Sequence, residues 1–147
     1  MKNYFATLIL LFSPLSSTVF ADANPNTLSV KDAWIAEAPP VSKVMVAYMT
    51  LENNGTQDIT LVKAESDLYS SIEFHETRHE KGMARMIRHN NLIIPAKEHI
   101  ALKRGGKHLM MFNPVKRLKA GDTVTIKLTT NNDVNQTFEV IVKKSQY

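Results

Sequence analysis

Two histidines and two methionines carry the chemistry of this chain. His75 is followed after ten residues by Met86, after twenty-one more by His108, and one residue later by Met110. Imidazole nitrogen and thioether sulfur form a soft, uncharged donor set, which selects Cu(I) over Mg, Ca or Mn. The 147 residues contain no cysteine. Exposed thiolates in an oxidising compartment are lost to disulfides, so a protein holding Cu(I) there gains by using Met instead. The donor types therefore point to copper bound outside the cytoplasm.

Each of these residues has a plainer reading when taken singly. Methionine is a flexible filler of cores, and Met45 and Met49 lie in an apolar run that reads as core. His89 and His99 stand among Arg88, Asn90, Lys97 and Glu98 and read as solvated. His108 and Met110 are harder to dismiss. In a strand, residues i and i+2 face the same side about 7 Å apart, so two long side chains can converge on one ion. Gly105-Gly106 just upstream supplies a tight turn and puts the pair near a strand's start, at the rim of a sheet. His75 ends a strand in which Phe74 points inward, and Met86 follows a charged loop, 76–85. Four donors from three segments at one end make a shallow site, suited to exchange of a metal between proteins. On spacing alone the metal and the core readings stand level.

The elements that must position these residues read as short strands. Val30 to Ala36 carries the only tryptophan, Trp34, and stops at Ala38-Pro39-Pro40. Val44 to Glu52 ends at Asn53-Asn54-Gly55, a strong turn signal. Ile59 to Ala64, Ile72 to Thr77 and His108 to Phe112 follow the same pattern, and Leu92 to Lys103 reads as a strand pair that brings the chain back. Thr123 to Leu128 alternates with period two, as a half-buried strand does, and Thr137 to Val142 returns after Asn131-Asn132-Asp133. No helical stripe longer than two turns occurs. Such spacing predicts a single-domain antiparallel β-sandwich or barrel.

The first 21 residues read as a secretory signal peptide, cleaved after Ala21 or Ala23, with 22–147 as the folded domain. The apolar run from Tyr4 to about Leu15 is broken by Ser13-Pro14 and falls short of the roughly 20 residues that cross a bilayer, so no membrane anchor is expected. Without cysteine there is neither a lipid-modified thiol nor a disulfide framework. Loss of Lys2 with the leader takes the formal charge from +4 to +3. The basic residues are scattered with no interleaved aromatic stripe, which excludes a nucleic-acid footprint. No Ser/His/Asp or paired-carboxylate arrangement stands out, so no enzyme is expected. A blue-copper electron carrier needs a Cys thiolate and is excluded.

The pattern formed by His75, Met86, His108 and Met110 resembles that of the periplasmic copper chaperones called PCu(A)C. Its surroundings are similar too: Asp32-Ala33-Trp34-Ile35, Ala47-Tyr48-Met49-Thr50-Leu51-Glu52-Asn53, Glu73-Phe74-His75-Glu76-Thr77, Gly106-Lys107-His108-Leu109-Met110 and Leu118-Lys119-Ala120-Gly121-Asp122. The resemblance covers nearly all of the chain after the leader. It implies a cupredoxin-like β-sandwich in the periplasm, not an enzyme, with those four residues as Cu(I) ligands. It further implies delivery toward the dinuclear copper centre of a respiratory oxidase, directly or through another periplasmic copper carrier. Two departures concern His79, where relatives often carry Met, and Met83, a place before an expected methionine; either could assist the site. Copper scavenging without a dedicated acceptor is one alternative. A metal-free sandwich serving as a binding module is another, and it requires Met86 and Met110 to be buried. In a chaperone only the imidazoles compete with protons, so Cu(I) binding weakens toward acid.

Overall fold

The computed structural model describes residues 27–145, so the expected leader lies outside the described residues. Among the described residues ten strands and no helix make up the fold: β1 (Leu28–Ala36), β2 (Val44–Asn53), β3 (Ile59–Glu65), β4 (Tyr69–Glu80), β5 (Met83–His89), β6 (Leu92–Ile94), β7 (His99–Leu102), β8 (Lys107–Pro114), β9 (Thr123–Thr130) and β10 (Asn135–Lys143). Alternation of burial explains why these segments are strands. In β2 every second residue from Met45 to Asn53 is buried, and in β9 Val124, Ile126, Leu128 and Thr130 are buried with their neighbours turned to solvent or partly covered. A single apolar face per strand needs a second layer to cover it.

The strands lie in the order β5-β4-β8-β2-β1-β10-β9-β3-β6, with β7 added beside β2. One further pair, Ala64 with Ile72, joins β3 to β4 and closes the sheet on itself. The core lies inside, built from fully buried Ile35, Leu51, Leu61, Ile94, Leu109, Met111, Ile126 and Leu128. Met45 and Met49 belong to it, at 4% and 2% exposure. The all-β sandwich expected from the sequence is the fold observed. Its first and last strands, β1 and β10, run parallel (Trp34 opposite Ile141), and the remaining pairs are antiparallel.

Two expectations are corrected. Residues 76–85 are not a loop: β4 continues to Glu80, turns through Lys81-Gly82, and returns as β5, with Thr77 opposite Met86. Lys81 and Gly82 both have positive φ (51° and 77°), the backbone of a primed hairpin turn, and the charged side chains flank a ribbon rather than a coil. Leu92 to Lys103 is not a strand pair either, since β6 pairs with β3 while β7 pairs with β2.

Strand β1 carries a bulge between Lys31 and Trp34. Lys31 lies opposite Thr50 but Trp34 lies opposite Tyr48, so three steps along β1 match two along β2. Asp32 takes up the extra residue at φ 51°. The bulge reverses the parity of the strand: Leu28 faces the core before it and Ile35 after it, which turns Trp34 to the outer face. Among the described residues no helix is long and apolar enough to cross a membrane.

Candidate metal centre

Strand β4 lies between β5 and β8, and the two registers decide which side chains meet. His75 is directly opposite His108, Glu73 opposite Met110, and Phe74 opposite Leu109. On the other flank Thr77 is opposite Met86 and His75 opposite Arg88. Directly paired residues share a face. Phe74 and Leu109 point into the core, so His75, His108, Met110 and Met86 all stand on the face opposite to it. Met110 and Met86 are both diagonal neighbours of His75, one on each side. All four residues singled out by their spacing are therefore brought to one patch, from three strands.

The two imidazoles are tilted 34° with centroids 6.1 Å apart, and Phe112 closes one side at 6.3 Å from His75. His75 places Nε2 2.8 Å from a Glu73 carboxylate oxygen, which also receives Arg88 Nε at 3.4 Å. A carboxylate only accepts, so Nε2 carries a proton, and in the neutral ring Nδ1 then keeps its lone pair. That Nδ1 is buried and has no hydrogen-bond partner. His108 is held the opposite way round. Its Nδ1 lies 3.0 Å from the Gly106 carbonyl, which also accepts from the Thr77 amide at 3.0 Å, so Nδ1 donates and Nε2 is the free nitrogen. Fixing one ring nitrogen by a hydrogen bond so that the other can bind a metal is the usual outer support of a histidine ligand.

The sulfurs differ in setting. Met86 is 54% exposed, with the Thr77 hydroxyl 3.7 Å from Sδ, whereas Met110 is half-buried. His108 is only 5% exposed. The donor set thus runs from a buried imidazole to an open thioether at the sheet's edge strand. An unpaired buried nitrogen costs about 1–3 kcal/mol. A soft cation held by the four donors removes that cost, and the residues present fit one.

The same registers sort the remaining candidates. His79 lies opposite Ala84, on the ligand face at the tip of the hairpin, while Met83 lies opposite Glu80 on the other face, away from the donors. His89 is not simply solvated. Its Nε2 is 2.8 Å from Glu76 on that other face, where Arg78 and then His89 hold the Glu76 carboxyl below the usual range. His99 is exposed, as expected. Glu73, Arg88 and Thr77 escaped the sequence reading. Glu73 carries a signal, since it is two residues before His75 on a strand and must share its face; Arg88 and Thr77 carry none without the register.

Residues 28–142 match the family model LpqE-like, described as "Putative lipoprotein LpqE-like". "Uncharacterized protein RP573" of Rickettsia prowazekii is 28% identical over 96 residues, 65% of this chain, which spans about half (53%) of that relative's length. The solution structure of CuI-DR1885 from Deinococcus radiodurans is 36% identical, with 90% of this chain and 87% of that chain covered and a TM-score of 0.67. The copper-bound PCuAC domain from PmoF2 is 16% identical, covering 81% of this chain and 94% of that one at a TM-score of 0.68, and shares the fold.

Proposed function

From the membership of this chain in the LpqE-like family, with the fold of a PCuAC domain, we propose that it is a non-enzymatic Cu(I) chaperone. His75 through Nδ1, His108 through Nε2, and the sulfurs of Met86 and Met110 hold the ion, which is cargo. One observation carries the reading: the buried, unpartnered Nδ1 of His75 stands on the patch to which the register brings the other three donors. The relative DR1885 has been solved with Cu(I), at 36% identity over most of both chains, which supports the same ion here.

The four donors are neutral, so they match a monovalent soft ion without adding charge. Their gradient of exposure suits transfer. Met86 on the edge strand can be reached by an incoming ligand while the two imidazoles still hold the ion, so donors exchange one at a time and the metal is never released to water. A metal-free binding module required buried methionines, and Met86 at 54% exposure counts against it.

The lipoprotein description of the family supports an exported protein. We propose the periplasm as its compartment, residues 1–21 as the leader, and a respiratory oxidase subunit or another copper carrier as the acceptor. None of the 147 residues is a cysteine to which a lipid could be attached. The deciding experiment is anaerobic competition against a chromophoric Cu(I) chelator, with wild type beside Met86→Ala/Met110→Ala. One Cu(I) per chain, lost in a variant that still folds, is the expected result. Absence of competition by the wild type overturns the reading.

A further inference from the structure

The bulge at Asp32 turns Trp34 onto the same outer face as the four donors, at the cost of a non-glycine residue in the left-handed region. There Trp34 packs on Tyr48 at 5.0 Å between centroids, and the Arg104 guanidinium lies over the indole at 5.5 Å. Arg104 Nη2 also donates to Ser145 Oγ at 3.0 Å, which holds the guanidinium in place. Burial raises the Tyr48 phenol above its ordinary value, and the Arg104 charge partly offsets this. Trp34, Arg104, Lys143 and Lys144 line a groove of about 480 Å³. Lys143 and Lys144 are exposed and have no ion-pair partner among the described residues.

Nothing in the copper site uses this cluster, yet it lies close to it. Trp34 is opposite Tyr48, Ala36 opposite Val46, and Val46 opposite Met110. Trp34, at one side of the groove, is thus separated from the strand of His108 and Met110 by β2 alone, about 10 Å at the spacing of paired strands, and Lys143 lies one strand further out on β10. A rigid aromatic pair with an arginine is the composition that dominates binding energy at protein interfaces, and the two exposed lysines, Lys143 and Lys144, set the sign of whatever lies in the groove.

We infer that the Trp34–Arg104–Lys143–Lys144 groove is a docking surface for an acidic polypeptide segment of a partner protein, which sets that partner beside the Met110 edge of the copper patch. That this partner exchanges copper rests on the function proposed above; the docking itself does not. A scattered charge pattern and the single aromatic pair favour a short acidic peptide over nucleic acid or a lipid surface.

Trp34 is the only tryptophan, so its emission reports the groove directly. The test titrates the folded protein with a deca-glutamate peptide, and in parallel with phosphatidylglycerol vesicles and a single-stranded DNA oligonucleotide. Two charge-reversed variants accompany it, Lys143→Glu/Lys144→Glu in the groove and Lys116→Glu/Arg117→Glu at exposed positions outside it. The expected result is a saturable emission shift with the peptide, weakened about tenfold or more by the groove reversal. The control reversal, which alters net charge equally, changes it by no more than about threefold. No shift, or equal weakening by both variants, overturns the inference. So does tighter response to vesicles or DNA, or a shift on raising protein concentration alone, which would mark a second copy as the occupant. Cu(I) affinity is measured on the same samples and is expected to be unchanged in both variants. A wild type that binds peptide but no Cu(I) would remove the chaperone reading and leave the docking surface standing.

Discussion

Glu73 accepts a hydrogen bond from Nε2 of His75 at 2.8 Å, and the other nitrogen of that ring is buried without a partner. The two residues sit on alternate positions of β4, and Arg88 on β5 holds the same carboxylate from the far side at 3.4 Å. Glu73 thereby selects, for the neutral ring, the tautomer that leaves Nδ1 without a proton. Across the strand pair His108 leaves the other nitrogen free, because there Nδ1 and not Nε2 is the one anchored, by the Gly106 carbonyl.

Replacing Glu73 by Ala removes that selection while leaving every proposed ligand in place. The expected outcome is a loss of about 10–100-fold in Cu(I) affinity, the usual effect of losing an outer partner of a histidine ligand. Chelator competition measures it, and a thermal melt checks the fold. Unchanged affinity would show that the ring orients itself without Glu73.

Met110 and Met111 are neighbours in sequence with opposite duties. Met111 is 0% exposed and its change to Ala costs about 2–5 kcal/mol of stability. Met86, at 54% exposure, loses within about 0.5 kcal/mol on the same change, and half-buried Met110 falls between. Cu(I) affinity is expected in the reverse order: Met86→Ala and Met110→Ala weaken it and Met111→Ala leaves it near wild type. Denaturant unfolding and chelator competition on the three variants give the two orders. Matching orders would mean that the methionines act through packing.

Tyr69 makes stability fall at high pH. Burial pushes its phenol from 10.0 up to about 12, with its hydroxyl 3.2 Å from the Met45 sulfur. Between those values the unfolded chain ionises and the folded one does not, so the stabilisation is whole below pH 10 and is lost as pH rises through 12. The loss amounts to about 2–3 kcal/mol. Tyr69→Phe is expected to abolish that part of the alkaline decline, read by denaturant unfolding at pH 9 and pH 11.5. A decline that is the same in both proteins would assign it elsewhere.

The hairpin that carries Met86 depends on its turn. Gly82 sits at φ 77° with open space around it, so a larger residue meets backbone strain and no clash. Gly82→Val is expected to cost about 1–3 kcal/mol locally. Hydrogen exchange in β4 and β5 near the turn should speed up while the core strands stay protected, and Cu(I) affinity should drop through Met86. Protection unchanged in β5 would show that the ribbon is held by Arg78–Glu76 and its neighbours instead.

How much of this was legible beforehand follows from range. Period-two alternation in β2 and β9 is a local pattern set by one buried face, and it yields strands whatever they pair with. The soft donor types, the absence of cysteine and the shared face of His108 and Met110 are likewise properties of short stretches. The hairpin of residues 76–85 is hidden because neither of its faces is buried, which leaves no alternation to read.

The sequence by itself determined an all-β chain with a Cu(I)-type donor set. Tertiary structure alone decided that His75, Met86, His108 and Met110 share one patch. Side chains in a strand alternate, so a slip of one residue between β4 and β5 would turn Met86 to the face where Met83 now lies. Likewise the extra residue at Asp32 decides the side on which Trp34 emerges. Register and bulge are set by pairing between distant segments and by which face the core claims, and neither is encoded in the residues that end up touching.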